Sequence, residues 1–418
     1  MKLRQSGGFL RFWLAETSSD FGRYVSTLAL QVVVVITLHG SALDLGLVNA
    51  ARWLPYVFLG LLAGALVDRT SGKRILIATN VISGVLLTAI FVLAALGRLD
   101  VVWLIVLILL FGSVTLFHDA AGQSTLPQLV PKPLLVHANV RLEQSTAAAQ
   151  ATGPAIAGAL IVWFGAPIAL LADAAAQFVC GALTASIPYP PTTDRPREHG
   201  IGKAISDGLR WLYSHPALRS LALNTNAWFL FHAMLGAILA PFVLRDLGLS
   251  PLALGGVLAL SGVGALMGTA SSARLSTQWG LGPTIGAARL LYAPSLVLLA
   301  LASLAAQLAP DVLPILLVGA GQILYGLAMG IEGPLEMAYR QGVTPGAMLG
   351  RTNATMRSTN RAMVVVGAPV GGALADAYGF TAVFWLASAG MALVAVWYLA
   401  SPMWRVPRDA GEAMHLGD

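Results

Sequence analysis

Residues 64–74 read Gly64-Ala65-Leu66-Val67-Asp68-Arg69-Thr70-Ser71-Gly72-Lys73-Arg74. One acid and three basic residues are gathered between two apolar runs, 45–67 and 75–96. Each run is long enough to cross a hydrocarbon core, which takes about 20 mostly apolar residues. A short charged hairpin between two such runs is a membrane loop. Working outward from it gives ten more runs, at 12–38, 101–124, 140–163, 166–187, 218–244, 252–273, 283–306, 312–338, 358–376 and 380–400. The period-two alternation of barrel strands is absent, so the sequence predicts an all-α membrane protein with twelve transmembrane helices.

Composition excludes the soluble alternative. Of 418 residues 57% are apolar and only 11% charged, where soluble domains carry about 25% charged residues. So few charges cannot build a water-facing surface. The formal charge of +6 sits in loops between apolar runs, which reads as membrane topology and not as a nucleic-acid face. Cys180 is the sole cysteine, so no disulfide is expected. The start offers no cleavable signal, because its basic residues run straight into an apolar segment too long for one.

If the N-terminus is cytoplasmic, 20 of the 25 Lys and Arg residues fall in inside segments and only Arg98 and Arg245 in outside loops. The positive-inside rule then places both termini in the cytoplasm of a bacterial inner membrane. The interruption at 188–217 opens with Pro188, Pro190 and Pro191, which cannot continue a helix. It separates a six-helix bundle at 1–187 from a second at 218–401, with a tail at 402–418. Within it Ile201, Ile205, Leu209 and Leu212 recur at helical spacing opposite Lys203, Asp207 and Arg210, the pattern of an amphipathic helix on the inner leaflet.

The halves repeat. Shifted by 214, Pro131, Asn139, Gly153, Gly158 and Gly165 fall on Pro345, Asn353, Gly367, Gly372 and Gly379. Ser41, Leu45 and Gly46 return 209 residues later as Ser250, Leu254 and Gly255. Two like-oriented repeats are an architecture of alternating-access transporters.

The 64–74 loop resembles the signature loop of the major facilitator superfamily, G-x-L-x-D-R followed by a basic pair. A topology anchor alone explains the basic residues but not Asp68 beside them. Leu126-Pro127-Gln128-Leu129-Val130-Pro131, its counterpart Val343–Asn353 and the Asp173-Ala174 pair resemble the superfamily's bacterial efflux branch, which includes the enterobactin exporter and macrolide-efflux carriers. The resemblance spans nearly the whole chain. Span 5 carries Gly153-Pro154 ahead of Gly158, similar to an element found in exporters, and span 11 repeats it at Gly367, Pro369 and Gly372; that duplication favours close helix packing. The resemblance also implies a gating loop in which Asp68, with Arg69 and Arg74 beside it, docks against Arg351, Arg357 or Arg361 at the start of span 11.

Ionisable residues inside spans are costly and mark function. The resemblance implies that spans 1, 4, 7 and 10 line a central cavity, so Asp20, Asp119 and Glu332 are the expected proton-coupling acids, with Arg23 as their switching partner. Clustered carboxylates resist double ionisation and exchange protons near neutrality. Asp119 belongs either to this cluster or to the loop after span 4. Glu16 and Glu336, close to basic anchors, read as interfacial, Asp173 as a buried hydrogen-bond partner, and Arg289 as a snorkelling or packing residue. Arg52 either snorkels or lines the cavity. Asn224, Asn226, Trp228 and His232 on span 7 are either a substrate wall of amides and aromatic faces or ordinary polar packing.

No nucleotide loop, zinc spacing or catalytic triad is present, so neither an enzyme nor a cofactor is expected. The reading is a monomeric secondary transporter that exports small amphipathic compounds of the drug or siderophore class in exchange for protons. Alternatives are a facilitative or import carrier for a metabolite or lysolipid, and a non-transporting sensor or partner subunit.

Overall fold

The computed structural model describes residues 7–67, 70–131, 134–188, 201–308 and 312–405. Among them are thirteen α-helices and no strand: α1 (Gly7–Val32), α2 (Ala42–Val67), α3 (Gly72–Ala95), α4 (Val101–Leu129), α5 (Leu135–Phe164), α6 (Ala166–Ala185), α7 (Ile201–Ser214), α8 (Pro216–Pro241), α9 (Pro251–Trp279), α10 (Leu281–Leu308), α11 (Leu313–Val343), α12 (Gly346–Tyr378) and α13 (Phe380–Leu399). Twelve coincide with the twelve apolar runs, and α7 lies in the interruption between them. Ten of the described helices are long and apolar enough to cross a membrane. They remain apolar on the outside as well, with Val102, Trp163 and Leu393 exposed, as lipid-facing surfaces require.

Several helices outrun their apolar segments. The expected span at 358–376 is part of a helix that begins at Gly346, directly after Pro345. Hydropathy marks the part of a helix that suits lipid, whereas hydrogen bonding and caps set where it ends. At the start of α2, the Ser41 hydroxyl accepts from Asp44 N–H and the Asp44 carboxylate accepts from Ser41 N–H, a reciprocal cap.

The chain forms two compact units: residues 1–40, 51–201 and 250–256, and residues 41–50, 202–249 and 257–418. In the first, α1 packs on α5 and α6, and α3 on α4 and α6; in the second, α8 packs on α12 and α13, and α10 on α11 and α13. The partners correspond one for one. Irregularities repeat too. A π-helical turn follows α1 at Val33–Thr37 and another follows α8 at Phe242–Asp246, 209 residues apart. Gly165 and Gly379, 214 apart, open α6 and α13 with φ of 86° and 83°, a region open to glycine and strained for other residues. His39 at φ 51° corresponds to Gly248 at 61°.

In the second unit α9 and α11 meet backbone to backbone. Gly264 and Gly268 on α9 face Gly326 and Gly330 on α11, and a Cβ added at any of the four would overlap the other helix's main chain. These are two small-xxx-small stripes in contact. α7 docks on this unit as well: Asp207 binds Arg351 of α12 at 3.2 Å, and Leu212 is buried beside Leu218, Met356 and Met403. Both oxygens of Asp376 on α12 accept from Ala42 N–H and Leu43 N–H, at 3.0 and 2.9 Å, at the first turn of α2.

Candidate functional site

Each unit holds its own network of buried charge. In the first, α1 presents Glu16, Asp20 and Arg23 at helical spacing. Asp20 is bound by Arg23 at 2.9 Å and accepts a 2.6 Å hydrogen bond from Thr146 on α5. Asp119 lies within α4 and accepts from the Tyr56 hydroxyl at 2.8 Å. His118, beside it, contacts Thr79 through Nδ1 at 3.2 Å and lies 3.5 Å from Glu16 through Nε2. Arg52 faces inward, donating to Thr27 at 2.9 Å with its guanidinium near the rings of Trp53 and Phe111. Asp173 accepts from Ser26 and Gln177.

Arg23, Arg52, Tyr56, His118 and Asp119 surround a chamber of about 40 Å³. A water needs roughly 10–15 Å³ by this measure, so the chamber has room for a few waters. Pockets for drug-sized ligands are an order of magnitude larger, about 300–1,000 Å³. Its size suits water molecules and is too small for a drug-sized ligand.

In the second unit the centre is Arg289 on α10, 1% exposed. It reaches Glu332 at 3.0 Å and also binds Glu336, both on α11. It donates to Asn224 and, at 3.1 Å, to Thr225 on α8, and its guanidinium lies over the Tyr398 ring of α13. Glu332 and Glu336 are 5% and 8% exposed. Four helices thus converge on one guanidinium that serves two carboxylates. A buried charge is tolerable only when paired and hydrogen-bonded, and this one has both.

Sequence reasoning underrated this cluster. Arg289 neither snorkels nor packs passively, and Glu336 is not interfacial. The available signal was the four-residue spacing of Glu332 and Glu336, which puts two acids on one helix face and calls for a buried cation. Asn224, read as either substrate wall or polar packing, has both amide atoms engaged: its oxygen accepts from Arg289 and its nitrogen donates to the Val394 carbonyl at 2.9 Å. The other span-7 residues form an aromatic group. Trp228 stacks on His232 at 4.6 Å and 12°, His232 contacts the Tyr325 hydroxyl at 2.6 Å, and Tyr325 lies 4.9 Å from Tyr292. Asn226 donates weakly to Tyr213 at 3.4 Å. Among the described residues the buried Trp228 indole N–H has no hydrogen-bond partner. Arg74 and Arg357 are exposed, Arg351 is held by Asp207, and Asp68 and Arg69 lie outside the described residues.

The transmembrane secretion effector family, of the major facilitator type, matches residues 3–415. The chain belongs to this family. It is a transporter and not an enzyme. It is 28% identical over 373 residues to the multidrug efflux pump Tap of Mycolicibacterium fortuitum, covering 87% of this chain and 88% of that one. Macrolide efflux protein A of Streptococcus pyogenes is 24% identical over 246 residues, 57% of this chain and 59% of that protein. In fold it is similar to the nucleoside transporter NupG, with a TM-score of 0.79 at 12% identity over 96% of this chain and all of that one. A bacterial homologue of ferroportin in its inward-facing state gives 0.70 at 16% identity, over 96% of this chain and 99% of that one.

Proposed function

We propose that this transporter exports small amphipathic compounds, of the drug or siderophore class, in exchange for protons, across a bacterial inner membrane with both termini cytoplasmic. The observation that carries the reading is the imbalance at Arg289, where one buried cation serves Glu332 and Glu336. One proton on the pair makes that cluster neutral. Two ionised carboxylates beside a single guanidinium leave an excess charge in a low-dielectric site. Asp20, held by Arg23 and Thr146, is the corresponding site of the first unit, and Asp119 borders the small chamber beside it. Alternating access exposes such sites to each side in turn, so inward proton flow drives outward cargo.

The drug and macrolide efflux named for two relatives supports export, and the Trp228–His232–Tyr325 group supplies flat aromatic faces for a planar amphipathic cargo. The test uses purified protein in proteoliposomes with ethidium and erythromycin as probes under an imposed pH gradient. Proton-dependent flux that fails in Asp20→Asn and Glu332→Gln is expected. Flux indifferent to the gradient would make this a facilitative carrier, and no flux of either probe would count against export of this class.

A further inference from the structure

Arg340, in the last turn of α11, is a second buried arginine, 9% exposed. Its terminal nitrogens reach only the sulfurs of Met337 and Met356, at 3.0 Å each, and its Nε has no partner. Thioethers are weak acceptors. Among the described residues no carboxylate lies within ion-pair distance of it. An unmatched buried guanidinium costs several kcal/mol, so its place in the fold demands an explanation.

The opposite deficit lies one turn away. Arg289 carries two carboxylates, Glu332 and Glu336. Glu332, Glu336 and Arg340 stand at four-residue intervals along α11, on one face and about 6 Å apart along the axis. Two arginines and two glutamates balance in total, but the observed arrangement distributes them two to one and none to one. An acid four residues before a base is the favourable order for a helical pair.

We propose that Glu336 is a two-position carboxylate, held by Arg289 in the arrangement seen here and received by Arg340 in another part of the cycle, with Arg340 as its positioning residue. Both ends are ready for the move. Facing Glu336 are Arg289 from α10 and Thr225 from α8, the latter at 3.1 and 3.3 Å from its two oxygens; Glu332 shares its helix. Around Arg289, Asn224 of α8 and Tyr398 of α13 keep the guanidinium in place when one carboxylate leaves. Facing Arg340 are Met356 and the exposed Arg357 from α12, and two thioethers yield readily to a carboxylate. α9 meets this helix through Ser261, Gly264, Ala265, Gly268 and Thr269, none of them charged. A proton on the pair suits the doubly occupied Arg289; its loss suits two one-to-one pairs. Only that trigger rests on the proton exchange proposed above.

The test needs no cargo. Full-length protein, purified in detergent, is melted as native chain, Glu336→Gln, Arg340→Gln and the double variant. If the carboxylate exchanges, Arg340→Gln shifts the apparent Tm differently in the two backgrounds, by at least about 3 °C. A carboxylate fixed on Arg289 leaves only the weak four-residue attraction, and the two shifts agree within about 1 °C; that agreement overturns the proposal. Should Arg340→Gln not fold, Arg340→Lys replaces it in the cycle. Ethidium efflux supplies a second readout: Arg340→Gln lowers the maximal rate about 10-fold or more with KM unchanged, and Arg340→Lys restores part of it. Native protein that moves no ethidium counts against the transport reading alone, because the melting cycle still decides the exchange.

Discussion

Replacing Arg289 by leucine removes the one cation between Glu332 and Glu336 and leaves two carboxylates buried among four helices. Both must then bind protons or stay charged in a dry site. An ordinary glutamate titrates near 4.3, and each pH unit is worth 1.36 kcal/mol, so keeping one protonated at pH 7 costs about 3.7 kcal/mol. For the pair the cost is about 7 kcal/mol at pH 7 and about 2 kcal/mol at pH 5. Set against a typical total of about 5–15 kcal/mol, the first figure is disabling and the second is tolerable. The lost bonds to Asn224 and Thr225 add to both without changing the difference. The sign follows from the protons: the folded variant holds two that the unfolded chain releases above about pH 4.3, so its stability falls as pH rises. Melting the purified variant by tryptophan fluorescence at pH 5 and 7.5 measures this. Arg289→Leu should melt far below the native chain at pH 7.5 and recover much of the gap at pH 5. Adding Glu332→Gln and Glu336→Gln should restore it at both. If Arg289→Leu melts within about 2 °C of the native protein at pH 7.5, the cluster does not hold the second unit together.

Three further outcomes are expected. His39→Gly should raise the apparent Tm, with a gain of up to about 1 kcal/mol, because His39 holds a left-handed φ that glycine adopts freely. Gly330→Leu, at the α9–α11 crossing, should abolish stable expression, since its Cβ alone meets the main chain at Ala265; Gly333→Ala, in open space on the same helix, is the control that should be tolerated. Asp376→Asn should cost about 1 kcal/mol in melting experiments, because it removes an anion bound to two amides at a helix N-terminus.

The large features were legible because each rests on a local rule. Apolar length located the helices, and the recurrence of Gly165 as Gly379 marked two positions that share a positive φ. The three-residue spacing of Asp20 and Arg23 on α1 suits the 2.9 Å pair they form. Contacts between helices were not legible. Arg289 read as a snorkelling or packing residue, yet the faces of α8, α11 and α13 that close over it are set by packing, which one sequence does not encode in any single spacing. Asn224 stayed open between two readings for the same reason: an amide in an apolar helix has no direction until its neighbours are known. The π-helical turn at Val33–Thr37 gave no warning either, because its residues would suit an ordinary α-helix equally well.

Proton release on cargo binding tests the central claim most directly. Purified transporter in weakly buffered detergent solution, with a pH indicator dye, is mixed with ethidium and the protons released are counted. The account predicts release of about one proton per transporter that binds ethidium, greatly reduced in Glu332→Gln. Saturable ethidium binding with no proton released from the native protein would contradict it.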